Sequence, residues 1–129
     1  MKTSPTMAVA TRAIIGCAIE VHRTLGPGLL ESTYQRCLAR ELHLQGLKAV
    51  QKASVPLTYK GITITEAYEA DFVVEDRVVV ELKSVETVHP VHVAQTLSYM
   101  RLLEKGVGLL INFNVPVLHQ GVQRLLRPM

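Results

Sequence analysis

Asp71, Glu81 and Lys83 stand in two apolar runs separated by a short polar segment, within YEADFVVEDRVVVELKS at residues 68–84. The runs read as two β-strands and a turn. Side chains alternate along a strand, so Glu81 and Lys83 point to one face. Valine and leucine at both parities predict a central strand covered on both sides. A carboxylate and an ammonium belong in such a strand only when paired, metal-bound or working. Two carboxylates side by side repel, and each raises the other's pKa. A hard divalent cation removes that conflict: Mg²⁺ takes a few carboxylate oxygens, keeps several waters and often shares a phosphate. Such an ion lowers the pKa of bound water and stabilises charge on phosphate oxygens. Lys83 beside it could orient the attacking water or neutralise developing charge.

Register decides whether Asp71 joins this group. A three-residue loop, Glu75-Asp76-Arg77, sets Asp71 opposite Glu81 on the same face. A two-residue loop, Glu75-Asp76, sets it opposite Val80 and turns it away, because a one-residue slip exchanges the faces. The expected register is the one that unites the carboxylates, or a bulge with the same effect.

The surrounding elements must position these groups. Residues 7–25 have helical spacing, with Ile14, Ile15, Ala18, Ile19 and Leu25 as the apolar face, Thr6 as cap, and Gly26-Pro27 as stop. Glu20 and His22 near its end read as surface residues, the alternative being a place at the rim of a site. A second helix over residues 30–45 turns Tyr34, Cys37, Leu38 and Leu42 to the core. Glu31 in its first turn is, on composition alone, a dipole-favoured surface acid. Residues 47–59 read as a strand bulged near Pro56. After Lys60-Gly61, strands over 62–74 and 77–83 complete an antiparallel meander. Pro90 opens a third helix to about residue 104, in which Gln95 and Tyr99 share a face. His89 and His92 lack a third metal ligand and read as helix-start residues, with phosphate contact the alternative for His92. Residues 107–113 are apolar throughout, which predicts a buried strand with a parallel neighbour. Asn112 and Asn114 bracket its end and read as turn residues that bind backbone, the alternative being to face a substrate. Residues 117–127 supply an edge strand, with a hairpin or bulge at His119 and Gly121; Arg124 and Arg127 read as solvated, the alternative being contact with a polyanion.

At 129 residues the chain is expected to form one domain, 1–129, with a real core. Its apolar content of 48% against 19% charged excludes a disordered chain. A net charge of +3 permits nucleic acid as partner without demanding it. Cys17 and Cys37 lack metal spacing and read as reduced, buried thiols of a cytoplasmic protein, with a disulfide the alternative. No stretch reads as a transmembrane span. Lys2, an apolar stretch and Ile14-Ile15-Gly16-Cys17 imitate a lipoprotein signal, but Arg12 interrupts the apolar part, and a helix is the better reading. Residues 1–6 are expected to be a polar tail. No glycine-rich loop has nucleotide-binding spacing, and no serine or cysteine nucleophile stands beside a base pattern.

Asp71…Glu81-x-Lys83 on a hairpin resembles the PD-(D/E)xK nuclease superfamily, with Ala70 in place of the proline. Gly28-Leu29-Leu30-Glu31-Ser32-Thr33-Tyr34 matches Gly-x-x-Glu-x-x-Tyr, the signature of the small bacterial and archaeal GxxExxY proteins. Ile19-Glu20-Val21-His22 and Leu25-Gly26-Pro27-Gly28 precede it in family order. Ala70-Asp71, Val80-Glu81-Leu82-Lys83, Pro90-Val91-His92, Gln95 and Leu110-Ile111-Asn112-Phe113-Asn114 follow. The resemblance implies an α/β, restriction-endonuclease-like core: a mixed four- to five-stranded sheet flanked by helices, two before it and one crossing it. It implies a metal-dependent nuclease acting on DNA, with Mg²⁺ or Mn²⁺ on Asp71 and Glu81. Glu31 becomes the acid from the helix preceding the sheet, bound to the metal directly or through water, and Lys83 positions the nucleophile. Gln95 and Tyr99 are similar to the Gln-x-x-x-Tyr of RecB-type nuclease domains, where the glutamine supports the site and the tyrosine lies near it. Tyr99 and His92 are the expected nucleic-acid contacts. A homodimer is left open. Two rivals stand beside this reading: a non-cleaving module that binds nucleic acid or protein on a nuclease fold, and a structural ion-pair cluster of Asp71, Glu81 and Lys83.

Overall fold

The computed structural model describes residues 6–128; residues 1–5 of the expected polar tail lie outside them. Helix α1, Met7–Leu25, starts where Thr6 Oγ1 accepts the N–H of Val9 at 3.2 Å, meeting one of the orphan donors of a first turn. It stops at Gly26, whose φ of 75° no β-branched residue would tolerate and whose N–H donates to the His22 carbonyl. Its inward stripe is Ala10, Ile14, Cys17, Ala18 and Val21. Ile19 and Leu25, expected inside, are 42% and 37% exposed. His22, expected on the surface, is buried, and its Nε2 bonds the Val115 carbonyl at 2.8 Å. The inward face is thus set one residue round from the bulkiest apolar positions, because small residues let α1 lie close to the sheet and His22 finds a carbonyl there.

Helix α2, Glu31–Leu44, buries Tyr34, Leu38 and Leu42; Cys37 is only partly covered, and both cysteines are free thiols. Strands β1, Ala49–Tyr59, β2, Ile62–Val74, and β3, Val78–Lys83, form the meander, with the expected irregularity between Val55 and Leu57 around Pro56. Helix α3, Pro90–Leu102, crosses to β4, Val107–Asn112, which pairs parallel to β3. Instead of a hairpin or bulge, residues Leu118–Gly121 form a 3₁₀ turn that leads into β5, Val122–Leu126, antiparallel to β4. The sheet order is β1-β2-β3-β4-β5.

Two apolar layers sandwich this α/β sheet. On one face, Ile14, Tyr34 and Leu38 pack on Phe72, Val80 and Ile111. Tyr34 stacks on Phe113 at 4.3 Å between ring centroids, a pairing that adds about 1 kcal/mol beyond the area buried. On the other face, Tyr99 and Met100 of α3 pack on Val55, Ala70, Val73 and Val79. The outer part of the β1–β2 hairpin has no third strand beside it, since β2 pairs with β3 only over Phe72–Val74. It stands out as an arm, with Tyr59, Ile62, Ile64 and Tyr68 exposed.

Candidate metal and phosphate site

The β2–β3 ladder runs Val74↔Val78, Val73↔Val79, Phe72↔Val80. The loop is therefore Glu75-Asp76-Arg77, and the next step of the register sets Asp71 against Glu81. Glu75 and Asp76 take φ of 54° and 56° to close it. At the carboxylates the backbone ladder gives way to side chains. The N–H of Asp71 donates to Glu81 Oε1 at 2.9 Å, and the N–H of Leu82 donates to Asp71 Oδ2 at 2.8 Å. Each acid satisfies a main-chain donor that the parting strands leave free, as buried backbone groups require.

Strand β2 loses its alternation at this point. Ala70 packs with the α3 layer and Phe72 with the α1–α2 layer, although residues two apart on a regular strand share a face. Opposite, the β1 pairing skips from Gln51↔Phe72 to Ala53↔Ala70 across Lys52, whose φ is 54°. The break lets the Asp71 carboxylate reach the main chain of β3 at Leu82. Of the two expected routes to the pairing of acids, the three-residue loop is the one present; the β1–β2 register shifts only between Val55 and Leu57.

Glu81 is 4% exposed. Burial first, and the Asp71 charge second, push its carboxyl up to about 8. Asp71 is raised as well, chiefly by burial, against the opposing Leu82 N–H and the Glu81 hydrogen bond. Lys83 favours the charged form of both acids, yet among the described residues it makes no ion pair within 4 Å. The structural-cluster reading required such pairs.

Glu31 is the first residue of α2 and is exposed. The turn before it is tied down twice: the Tyr34 hydroxyl donates to the Gly26 carbonyl at 2.5 Å and accepts the Leu29 N–H at 3.1 Å. Ser84, just past β3, donates its hydroxyl to the Leu29 carbonyl at 2.5 Å. The Gly-x-x-Glu-x-x-Tyr spacing thus fixes a turn, with Gly28 at φ 92°, against the end of the strand that carries Glu81 and Lys83. One helical turn beyond Glu31, Gln35 Nε2 reaches both Oδ1 and the carbonyl of Asp71 at 3.4 Å.

Helix α3 brings the remaining candidates. His92 lies in the field of Lys83 and Glu31; burial, then Lys83 and His89, lower its pKa. Its Nδ1 accepts the His89 N–H at 3.1 Å, so both histidines cap the helix start, as expected. Tyr99 is buried, and its hydroxyl is raised by burial and then by Glu81, Tyr68 and Asp71. Gln95 is exposed and, among the described residues, its side chain makes no hydrogen bond. The glutamine that reaches Asp71 is Gln35, which sequence reasoning did not single out; its place four residues after Glu31 was the available signal. Asn112 holds the turn beyond β4, donating to the Val85 carbonyl and accepting from the N–H groups of Val85 and Asn114.

Among the described residues, no three histidine, cysteine, aspartate or glutamate side chains gather closely enough to hold a metal ion by themselves. The donor set of Asp71 and Glu81 still fits a hard divalent cation. Glu81 is buried and Asp71 half-buried, among the described residues neither forms an ion pair, and Mg²⁺ is content with two protein oxygens when water and phosphate supply the rest. Among the described residues no helix is long and apolar enough to cross a membrane.

No curated protein and no solved structure matches the chain significantly. A family model does match, over residues 8–125, from the second residue of α1 into β5. With a five-stranded mixed sheet flanked by three helices and the Asp71, Glu81-x-Lys83 pattern where its strands part, the chain belongs to the PD-(D/E)XK nuclease superfamily.

Proposed function

We propose that the protein is a Mg²⁺- or Mn²⁺-dependent nuclease that hydrolyses phosphodiester bonds in DNA. The observation that carries this reading is the crossed pair of carboxylates, Glu81 buried and Asp71 half-buried, with burial and the Asp71 charge pushing the Glu81 carboxyl up to about 8. Asp71 and Glu81 would hold the ion, and Glu31 would reach it through water. Bound there, it would supply Lewis-acid stabilisation of phosphate charge and a more acidic water.

The chain's own groups do the rest. The N–H groups of Asp71 and Leu82 fix Glu81 Oε1 and Asp71 Oδ2; a ligand would share Asp71 Oδ1 with Gln35 Nε2. Gln35 restrains Asp71 from the α2 side. Lys83, on the Glu81 face and without an ion-pair partner, can orient the attacking water or meet charge on the phosphoryl oxygens. His92 uses Nδ1 in the cap, so the neutral ring carries its proton on Nε2 and can donate it to a phosphate. Gln95, exposed on the helix face of Tyr99, is available to substrate rather than to the acids.

Cleavage of a labelled oligonucleotide with Mg²⁺ or Mn²⁺, combined with calorimetric metal titration, tests the reading. Activity that persists unchanged in Glu81→Gln and Lys83→Met overturns it. The alternative is a module that binds nucleic acid without cutting; DNA binding with no metal-dependent turnover would establish that instead.

A further inference from the structure

Tyr68 lies on the projecting arm, three residues before Asp71, and is 48% exposed. Its ring rests against Tyr99, with centroids 5.7 Å apart and planes tilted by 37°. Tyr99 in turn feels the charges of both Glu81 and Asp71. Opposite Tyr68 on β1 is Val55, fully buried on the α3 face, so the aromatic pair stands on the side of the sheet to which Glu81 and Lys83 point. Tyr99 closes the inner side of this pair, leaving part of the Tyr68 ring open to solvent at the edge of the carboxylates.

We propose that Tyr68, backed by Tyr99, is a stacking platform for a nucleobase next to the phosphate handled at Asp71 and Glu81, and that the substrate is therefore single-stranded DNA. The inference rests on the reading of the carboxylates as a phosphate site and names the strand state that site accepts. Bases in a duplex stack on one another and offer no free face; a nucleotide that stacks on a tyrosine beside the reacting phosphate must be unpaired. Charge on the arm points the same way. Lys52 and Lys60 are offset by Glu66 and Glu69, so the arm offers no basic stripe to track a duplex backbone. Its contribution to binding must come from ring faces, and Tyr68 is the one beside the acids.

The chain contains no tryptophan, so Tyr68→Trp introduces a single reporter. Its emission is titrated with a thymidine oligonucleotide and with a duplex of equal length, first without divalent metal and then with Ca²⁺. Saturable quenching by the single strand, and little by the duplex, is expected. Tyr68→Leu retains apolar packing on Tyr99 but has no flat face; it should bind the single strand about tenfold more weakly, while Tyr68→Phe binds normally. Equal quenching by both nucleic acids, or Tyr68→Leu binding as tightly as the unaltered chain, overturns the proposal. The readout is independent of cleavage: a protein that binds single strands through Tyr68 but never cuts them defeats the nuclease reading and leaves this one standing. One that cuts duplex DNA regardless of Tyr68 does the reverse.

Discussion

Glu81 Oε1 accepts the backbone N–H of Asp71 at 2.9 Å, so a side-chain carboxylate stands where a strand carbonyl would continue the ladder. The Asp71 carboxylate does the same for Leu82. The two acids are therefore structural and chemical at once. They finish the hydrogen bonding of two parting strands, and in doing so they are brought close enough to repel. The sheet gains main-chain satisfaction and carries an electrostatic cost that falls on Glu81.

That cost sets the pH dependence of the metal-free protein. The Glu81 carboxyl rises from 4.5 in an ordinary setting to about 8 in the fold. Between those values the folded state holds a proton that the unfolded state has released. Stability is thus greatest below the window and falls as pH rises through it, by at most about 1.4 kcal/mol per pH unit for one proton. Asp71 shifts the same way and adds to the fall. Glu81→Gln, which keeps an oxygen for the Asp71 N–H and has no charge, should flatten the profile and stabilise the chain at its alkaline end. Urea denaturation in EDTA across the window checks this; a profile that Glu81→Gln leaves unchanged contradicts the assignment.

Metal should reverse the trend. A cation on Asp71 and Glu81 competes with the Glu81 proton, so its apparent affinity should strengthen as pH rises, by up to about tenfold per unit while Glu81 titrates. At a hundredfold excess over Kd, Mg²⁺ should stabilise the fold by about 2.7 kcal/mol. Thermal melts with and without Mg²⁺ at both ends of the window read this directly. Asp71→Asn should lose the metal-induced shift while retaining an oxygen for the Leu82 N–H.

The turn ahead of Glu31 gives a separate handle. Tyr34→Phe keeps the stack on Phe113 and removes the hydroxyl that joins the Gly26 carbonyl to the Leu29 N–H. Leaving those two groups unmet should cost about 1–3 kcal/mol, read as a lower urea midpoint. If Glu31 reaches the metal through water, the freed turn should also weaken Mg²⁺ affinity at pH values where the fold is intact. Undiminished affinity in Tyr34→Phe would place Glu31 outside the site.

Much of this was legible in the chain, for identifiable reasons. Counting the loop left two registers open for Asp71, and the chemistry of paired acids chose the one observed. Helix and strand limits followed from Thr6, Gly26 and Pro90, residues with strong local preferences. The misread positions depend on distant partners. His22 is inside because the Val115 carbonyl, far along the chain, lies within 2.8 Å. Gly121 reads as a turn residue, yet its role is close approach: a Cβ there would lie 2.0 Å from the Asn112 carbonyl oxygen. Gln35 and Tyr68 went unnoticed because their neighbours, Asp71 and Tyr99, belong to other elements. Spacing predicts neighbours along one helix or strand; it is silent on what another element brings alongside.

Lys83 separates chemistry from architecture most cleanly. It points to the Glu81 face but, among the described residues, forms no ion pair; it is half-buried, and its backbone pairs with Asn112 of β4 and accepts the Phe113 N–H. A lysine that merely neutralised the buried acids would be costly to lose, about 3–5 kcal/mol for a broken buried pair. With no such pair, Lys83→Met should change folding stability by less than about 1 kcal/mol, since its methylenes remain. The same substitution should lower DNA cleavage by about a hundredfold or more, as removal of a group that meets transition-state charge does. Denaturation and turnover measured on the one variant decide the matter: large destabilisation with retained turnover would make Lys83 part of the scaffold, and intact folding with lost turnover makes it part of the reaction.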